Sequence, residues 1–98
     1  MVERELIQII NKQVDTDLSE DISRNELQQK LTAFINELIL NDFQRLITIL
    51  YRVDVDEKKL KRILKENIGT DAGEIIANLI IEREIQKIET RTQFESKK

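Results

Sequence analysis

Apolar residues recur along this chain at spacings of three and four, the period of α-helix rather than of strand. Five amphipathic segments follow from that pattern. The first spans Val2 to Val14, where Leu6, Ile9, Ile10 and Val14 share a face with Ile7 at its edge. Asp15-Thr16-Asp17 ends it, because short polar side chains compete for backbone hydrogen bonds. The second starts at Ser23-Arg24-Asn25-Glu26, which fits a capping box, and continues through Leu27, Leu31, Phe34, Ile35, Leu38 and Ile39. Asn41-Asp42 closes it, and Asp42 is placed to cap the third segment, about 43–52. That segment gathers Phe43, Leu46, Ile47, Leu50 and Tyr51 on one face. The fourth, about 55–67, is expected to take Asp54 as its cap and to bury Leu60, Ile63 and Leu64. Gly69 is expected to stop it in a left-handed conformation. Thr70 or Asp71 caps the last segment.

The last helix carries two apolar stripes. At 100° per residue, Ala72, Ile75, Ile76, Leu79 and Ile80 centre on one direction, and Ala77, Ile81, Ile85 and Ile88 nearly opposite. A single small core covers the first stripe. The second needs either the first helix of the same chain or another subunit, because each buried isoleucine is worth roughly 1.5–3 kcal/mol. Leu40 and Ile49 also fall off their helices' main faces and add apolar area. The expectation drawn from this is self-association, as a homodimer or with another protein, through Ala77, Ile81, Ile85 and Ile88.

The whole is an all-α bundle of four or five helices with short connections, one domain over residues 1–98 with a frayed tail at 93–98. The absence of proline and the presence of only two glycines, Gly69 and Gly73, fit that class and exclude glycine-rich phosphate loops. No run approaches the ~18 apolar residues of a membrane span, and no signal peptide precedes the first helix, so no membrane partner is expected. With no cysteine, nothing requires an oxidising compartment, and a cytoplasmic location is the default. With neither His nor Cys, thiol nucleophiles and histidine acid–base chemistry are excluded within the chain. No acid falls inside an apolar stripe, where burial would disfavour its charged form. No enzyme activity and no cofactor are therefore expected.

Three other features carry candidate chemistry. Asp15 to Glu26 superposes on a calcium-binding EF-hand loop, with Asp15, Asp17, Ser19 and Glu26 among the oxygen ligands. It carries Glu20 where that loop needs glycine, and Ser23 and Glu26 already serve a capping box, so a solvated acidic loop is the better reading. The fourth helix presents Lys58, Lys61, Arg62 and Lys65 on one side, a candidate anion-binding face that Arg45 and Arg52 could extend. The net charge is −3, with nine acids against four bases in residues 1–42 and twelve bases against ten acids thereafter. Any nucleic-acid or anion binding would have to be local, and nucleic acid is not the expected partner. A helix-turn-helix reading fails, because the helix after Gly69 opens Ala72-Gly73-Glu74-Ile75-Ile76 and offers almost nothing to base edges.

At Asn41-Asp42-Phe43-Gln44-Arg45-Leu46, at Tyr51-Arg52-Val53-Asp54-Val55 and at Ile80-Ile81-Glu82-Arg83-Glu84, the chain resembles a group of small bacterial all-helical proteins of unassigned function. The resemblance covers roughly residues 31–91 and implies a bacterial cytoplasmic protein. It carries no catalytic or binding residue across. The function expected from the sequence is a non-catalytic scaffold or interaction module. An anion-binding module and a degenerate calcium-binding helix pair stand as alternatives.

Overall fold

The computed structural model describes the backbone of residues 2–96 and the side chains of residues 4–91. Among these residues the chain forms α1 (Val2–Val14), α2 (Arg24–Asn41), α3 (Phe43–Val53), α4 (Glu57–Glu66) and α5 (Ala72–Ser96), with no strand. The all-α class is as the periodicity predicts. The helix of residues 72–96 continues into the segment expected to fray, while Lys97 and Lys98 lie outside the described residues. No helix among the described residues is long and apolar enough to cross a membrane.

The caps explain where the helices start and stop. Ser23 accepts from Glu26 N at 3.1 Å, and the Glu26 carboxylate returns to Ser23 N, completing the capping box. Asp42 both ends α2, donating its N–H to Leu38 O, and caps α3 by accepting from Arg45 N. Asp54 does not cap α4. It sits in the left-handed region at φ 67° and ends α3, and both its N–H and that of Val55 return to Leu50 O. Asp56 takes over as N-cap, accepting from Lys58 N and Lys59 N. Gly69 adopts the expected positive φ, 100°, but α4 has already stopped at Glu66 with Asn67 as its C-cap. Asp71 caps α5 through Gly73 N.

Every other helix packs against α5, and α2 does so most extensively. Ile75, Ile76, Leu79 and Ile80 are buried, and so are Ala77, Ile81 and Ile88 on the opposite side; Ile76, Ala77, Ile80, Ile81 and Ile88 belong to one continuous core. A helix apolar on nearly all sides belongs in the interior. Leu6, Ile7, Ile10 and Val14 of α1, and Leu27, Leu31 and Ile35 of α2, are all at most 1% exposed in that core. Arg91 and Glu5 form an ion pair that ties the far part of α5 to the start of α1. Gly73 of α5 is buried against the Asn36 side chain of α2: a Cβ there would lie 2.2 Å from that side chain, whose amide donates to Asp71.

One core residue contradicts the expectation that no acid enters an apolar stripe. Glu84 lies between Ile81 and Ile88 on the inner side of α5 and is fully buried. Its Oε1 accepts from the half-exposed Lys87 at 3.1 Å, while Oε2 has no hydrogen-bond partner. A buried acceptor left unpaired costs about 1–3 kcal/mol. Glu84→Met fills similar space without that cost, and Lys87 reaches solvent alone. The expected result is a stability gain of about 1 kcal/mol or more, seen as a Tm several degrees higher by circular dichroism. A fall in Tm would show that this carboxyl group contributes net stability where it stands.

Candidate functional site

The three groups of residues singled out in the sequence meet different fates. The calcium ligands are not brought together. Asn11 organises the loop after α1: its carbonyl oxygen accepts from Thr16 Oγ1 and Leu18 N, and its amide donates to Leu18 O. Asp15 stands in the left-handed region at φ 61° and pairs with Arg52 of α3 at 3.1 Å. Glu26 is held in the capping box, Ser19 accepts from Asp21 N, and Glu20 and Asp21 face Arg4. No group of three or more metal-capable side chains converges among the described residues. Asp15, Ser19 and Glu26 of the candidate set are thus each engaged with other partners, and no cluster of such groups forms around Asp17 among the described residues. Millimolar calcium is expected to leave the thermal unfolding curve unmoved, and a calcium-dependent rise in Tm would contradict this.

The seam of Ala77, Ile81, Ile85 and Ile88 is not a surface. Ala77 is 0% exposed, and Ile81 and Ile88 lie in the core of the single chain; only Ile85 is half-buried. The partner that α5 requires is supplied by its own α1, α2 and α3. These four residues cannot serve as an oligomer interface without opening the fold. Ile81→Glu is therefore expected to unfold the chain, losing its helical circular dichroism, since it buries a charge with no partner. A folded, helical Ile81→Glu protein would refute this placement.

The basic residues of α4 are exposed as expected: Lys58, Lys61, Arg62 and Lys65 all face solvent. Lys61 pairs with Glu57 one turn earlier at 3.1 Å, while Lys58, Arg62 and Lys65 make no ion pair among the described residues. Arg45 and Arg52 do not extend this face. Arg45 lies over the Phe34 ring, and Arg52 donates to Gln13 O and Asp15 at the other side of α3.

The unpartnered apolar surface is elsewhere, on α3 and α4. The core takes Leu46, Ile49 and Val53 from α3; of the face that the sequence favours, Leu46 is buried and Leu50 packs partly on the core, while the rest stays outside. Ile49, placed off the main face by periodicity, is 1% exposed, whereas Phe43, Ile47 and Tyr51 are 57%, 42% and 88% exposed. The apolar arc of α3 spans about half its circumference at 100° per residue, and only one end of it turns inward. In α4 no residue is buried; Leu60, Ile63 and Leu64 are only half-covered. Between the two helices lies an open groove of about 540 Å³, walled by Ile47, Leu50 and Tyr51 on one side and Leu60 and Leu64 on the other. Val55 floors the turn, and Asp54, Glu57 and Lys61 supply its polar atoms. The two acids are engaged, Asp54 with Arg83 at 3.2 Å and Glu57 with Lys61. Leu40 and Ile68, at 82% and 88% exposure, add apolar surface on the neighbouring turns.

This groove has no polar group buried within it to orient a small substrate. Glu84, the one buried acid among the described residues, lines neither the groove nor the smaller depressions beside it. No protein-family model, no curated protein and no solved structure matches the chain.

Proposed function

We propose that the protein is a non-catalytic interaction module that docks a protein partner in the groove between α3 and α4. The observation that carries this reading is a whole helix, α4, without one buried residue, facing an apolar wall of α3 across open space. Isolated exposed hydrophobics need no explanation, but a contiguous set in a groove marks an interaction surface. Ile47, Leu50, Tyr51, Leu60 and Leu64 all gain by being covered, and a large amphipathic side chain such as Tyr51 is a typical anchor at interfaces. α3 and α4 offer two apolar walls and no free backbone edge. The complementary shape is a third helix laid between them, packing as helices pack in bundles. α5 then serves as the rigid support. Lys59 joins α4 to Glu82 at 2.9 Å, and Arg83 fixes the α3–α4 turn by donating to Asp54 O.

Site-specific photocrosslinking tests this reading in the cells that make the protein. A photoreactive residue replacing Tyr51 or Leu64 is expected to give a discrete protein adduct, while the same residue at the exposed Lys12 of α1 or Gln29 of α2 gives none. Equal labelling at all four positions, or none at Tyr51 and Leu64, rejects the groove as a docking site.

A further inference from the structure

We infer that the occupant of the α3–α4 groove is an amphipathic helix of a different protein, with an apolar stripe flanked by acidic residues; this rests on reading the groove as a docking site. The apolar walls set the stripe. The lining residues run from Ile47 to Tyr51 on α3 and from Glu57 to Leu64 on α4, about 6 and 11 Å of helix, so the groove takes roughly two turns of a docked helix. Two turns present anchors at i, i+3 or i+4, and i+7, enough to meet both walls.

The charges set the flanks. Around α4, Leu60, Leu64, Glu57 and Lys61 turn toward the groove, and Lys65 and then Lys58 follow within about 60° on the solvent side. These bases edge the groove in a row along the helix. The acids at the same edge are already committed, Glu57 to Lys61 and Asp54 to Arg83, and Lys58 and Lys65 have no such partner among the described residues. Carboxylates on a docked helix would complete pairs there that the chain itself leaves open, and would steer its approach.

The same charges disfavour a second copy of this chain. The groove edge carries Lys58, Lys61 and Lys65 against Glu57 and Asp54, both already paired. A two-fold pairing of grooves brings Lys58 and Lys65 of two copies, unpaired among the described residues, together with no free acid at that edge to meet them. The acidic half of the chain cannot supply the docked helix either, because α1 and α2 give their apolar faces to the core.

The test uses the full chain and two synthetic helical peptides of about 18 residues, identical in their leucine stripe. One is flanked by glutamates and the other by lysines, and binding is followed by fluorescence anisotropy. The glutamate peptide is expected to bind at least tenfold more tightly at low salt, with the preference shrinking at about 0.5 M salt as screening sets in. Tyr51→Glu, at an exposed position that the fold does not need, should remove binding of both peptides. A Lys58→Glu/Lys61→Glu/Lys65→Glu variant should reverse the preference. Equal binding of the two peptides, tighter binding of the lysine peptide or binding of neither overturns the inference. So does a two-fold solution mass that Tyr51→Glu converts to a monomer, because the groove is then filled by a second copy. Adducts at Tyr51 and Leu64 together with any of these results leave the docking site standing and reject only its acidic occupant.

Discussion

The enclosure of α5 decides the rest of the architecture. Between Ile75 and Ile88 it is apolar around most of the circumference, from Ile75 and Leu79 through Ile76 and Ile80 to Ala77, Ile81 and Ile88. Only the side carrying Glu74, Asn78, Glu82 and Gln86 faces solvent; no single neighbour can cover the rest, and opening either apolar side would leave several isoleucines in water at roughly 1.5–3 kcal/mol each. α1 and α2 must therefore approach from different sides, and α3 and α4 take what contact remains. Close approach has its own demands. Gly73 leaves room for the Asn36 side chain of α2 at the start of α5, and a side chain there would make Asn36 shift from its place beside Asp71. Glu84 is drawn into the interior by the same enclosure, since its position shares a face with Ala77, Ile81 and Ile88.

A core built around α5 is limited in what else it can bury. α3 offers an apolar arc far wider than its contact with the bundle, and the inward end, Leu46, Ile49 and Val53, fills the available space. The outward end, Phe43, Ile47 and Tyr51, has no place to go. α4 arrives last and rests on the bundle's edge. Its attachments are half-covered Leu60, Ile63 and Leu64, one Lys59–Glu82 pair, and the Arg83 contacts at the preceding turn. Exposed ion pairs contribute at most about 1 kcal/mol each, so the position of α4 depends on little. The groove exists because two helices that both need cover face each other without meeting.

The helices were readable from periodicity because each is long enough to show its period, and caps such as Ser23, Asp42 and Asp71 are signalled by residue type. The switch from Asp54 to Asp56 was not. Two aspartates stand two positions apart, either able to cap, and the choice depends on Asp54 closing α3 in a left-handed turn that Arg83 of α5 then holds. The two-stripe logic was sound, but it pointed to the wrong helix. Periodicity shows which directions on a helix are apolar and cannot show how many neighbours stand around it. α5 is central and satisfies both stripes. α3 is peripheral and satisfies only part of one arc, and Ile49 beside Tyr51 gives no local sign of which will be inside. The basic face of α4 was legible because its lysines alternate with Leu60, Ile63 and Leu64. Its relation to the apolar groove was not, because that depends on how α4 is turned relative to α3.

Weak attachment and an uncovered apolar face on the same helix have a joint thermodynamic consequence. A partner that fills the groove contacts α3 and α4 together, so it binds only the arrangement in which both walls stand in place. Its binding free energy then stabilises the position of α4 as well as the complex, by mass action on that arrangement. The reverse also holds: anything that frees α4 from α5, such as loss of the Lys59–Glu82 pair, reduces the fraction of molecules competent to bind and weakens apparent affinity in proportion. The buried seam of α5 and the open groove are thus two parts of one design. The first provides a scaffold whose core needs nothing from outside. The second is the α3–α4 pair on that scaffold, whose apolar surface is left uncovered among the described residues.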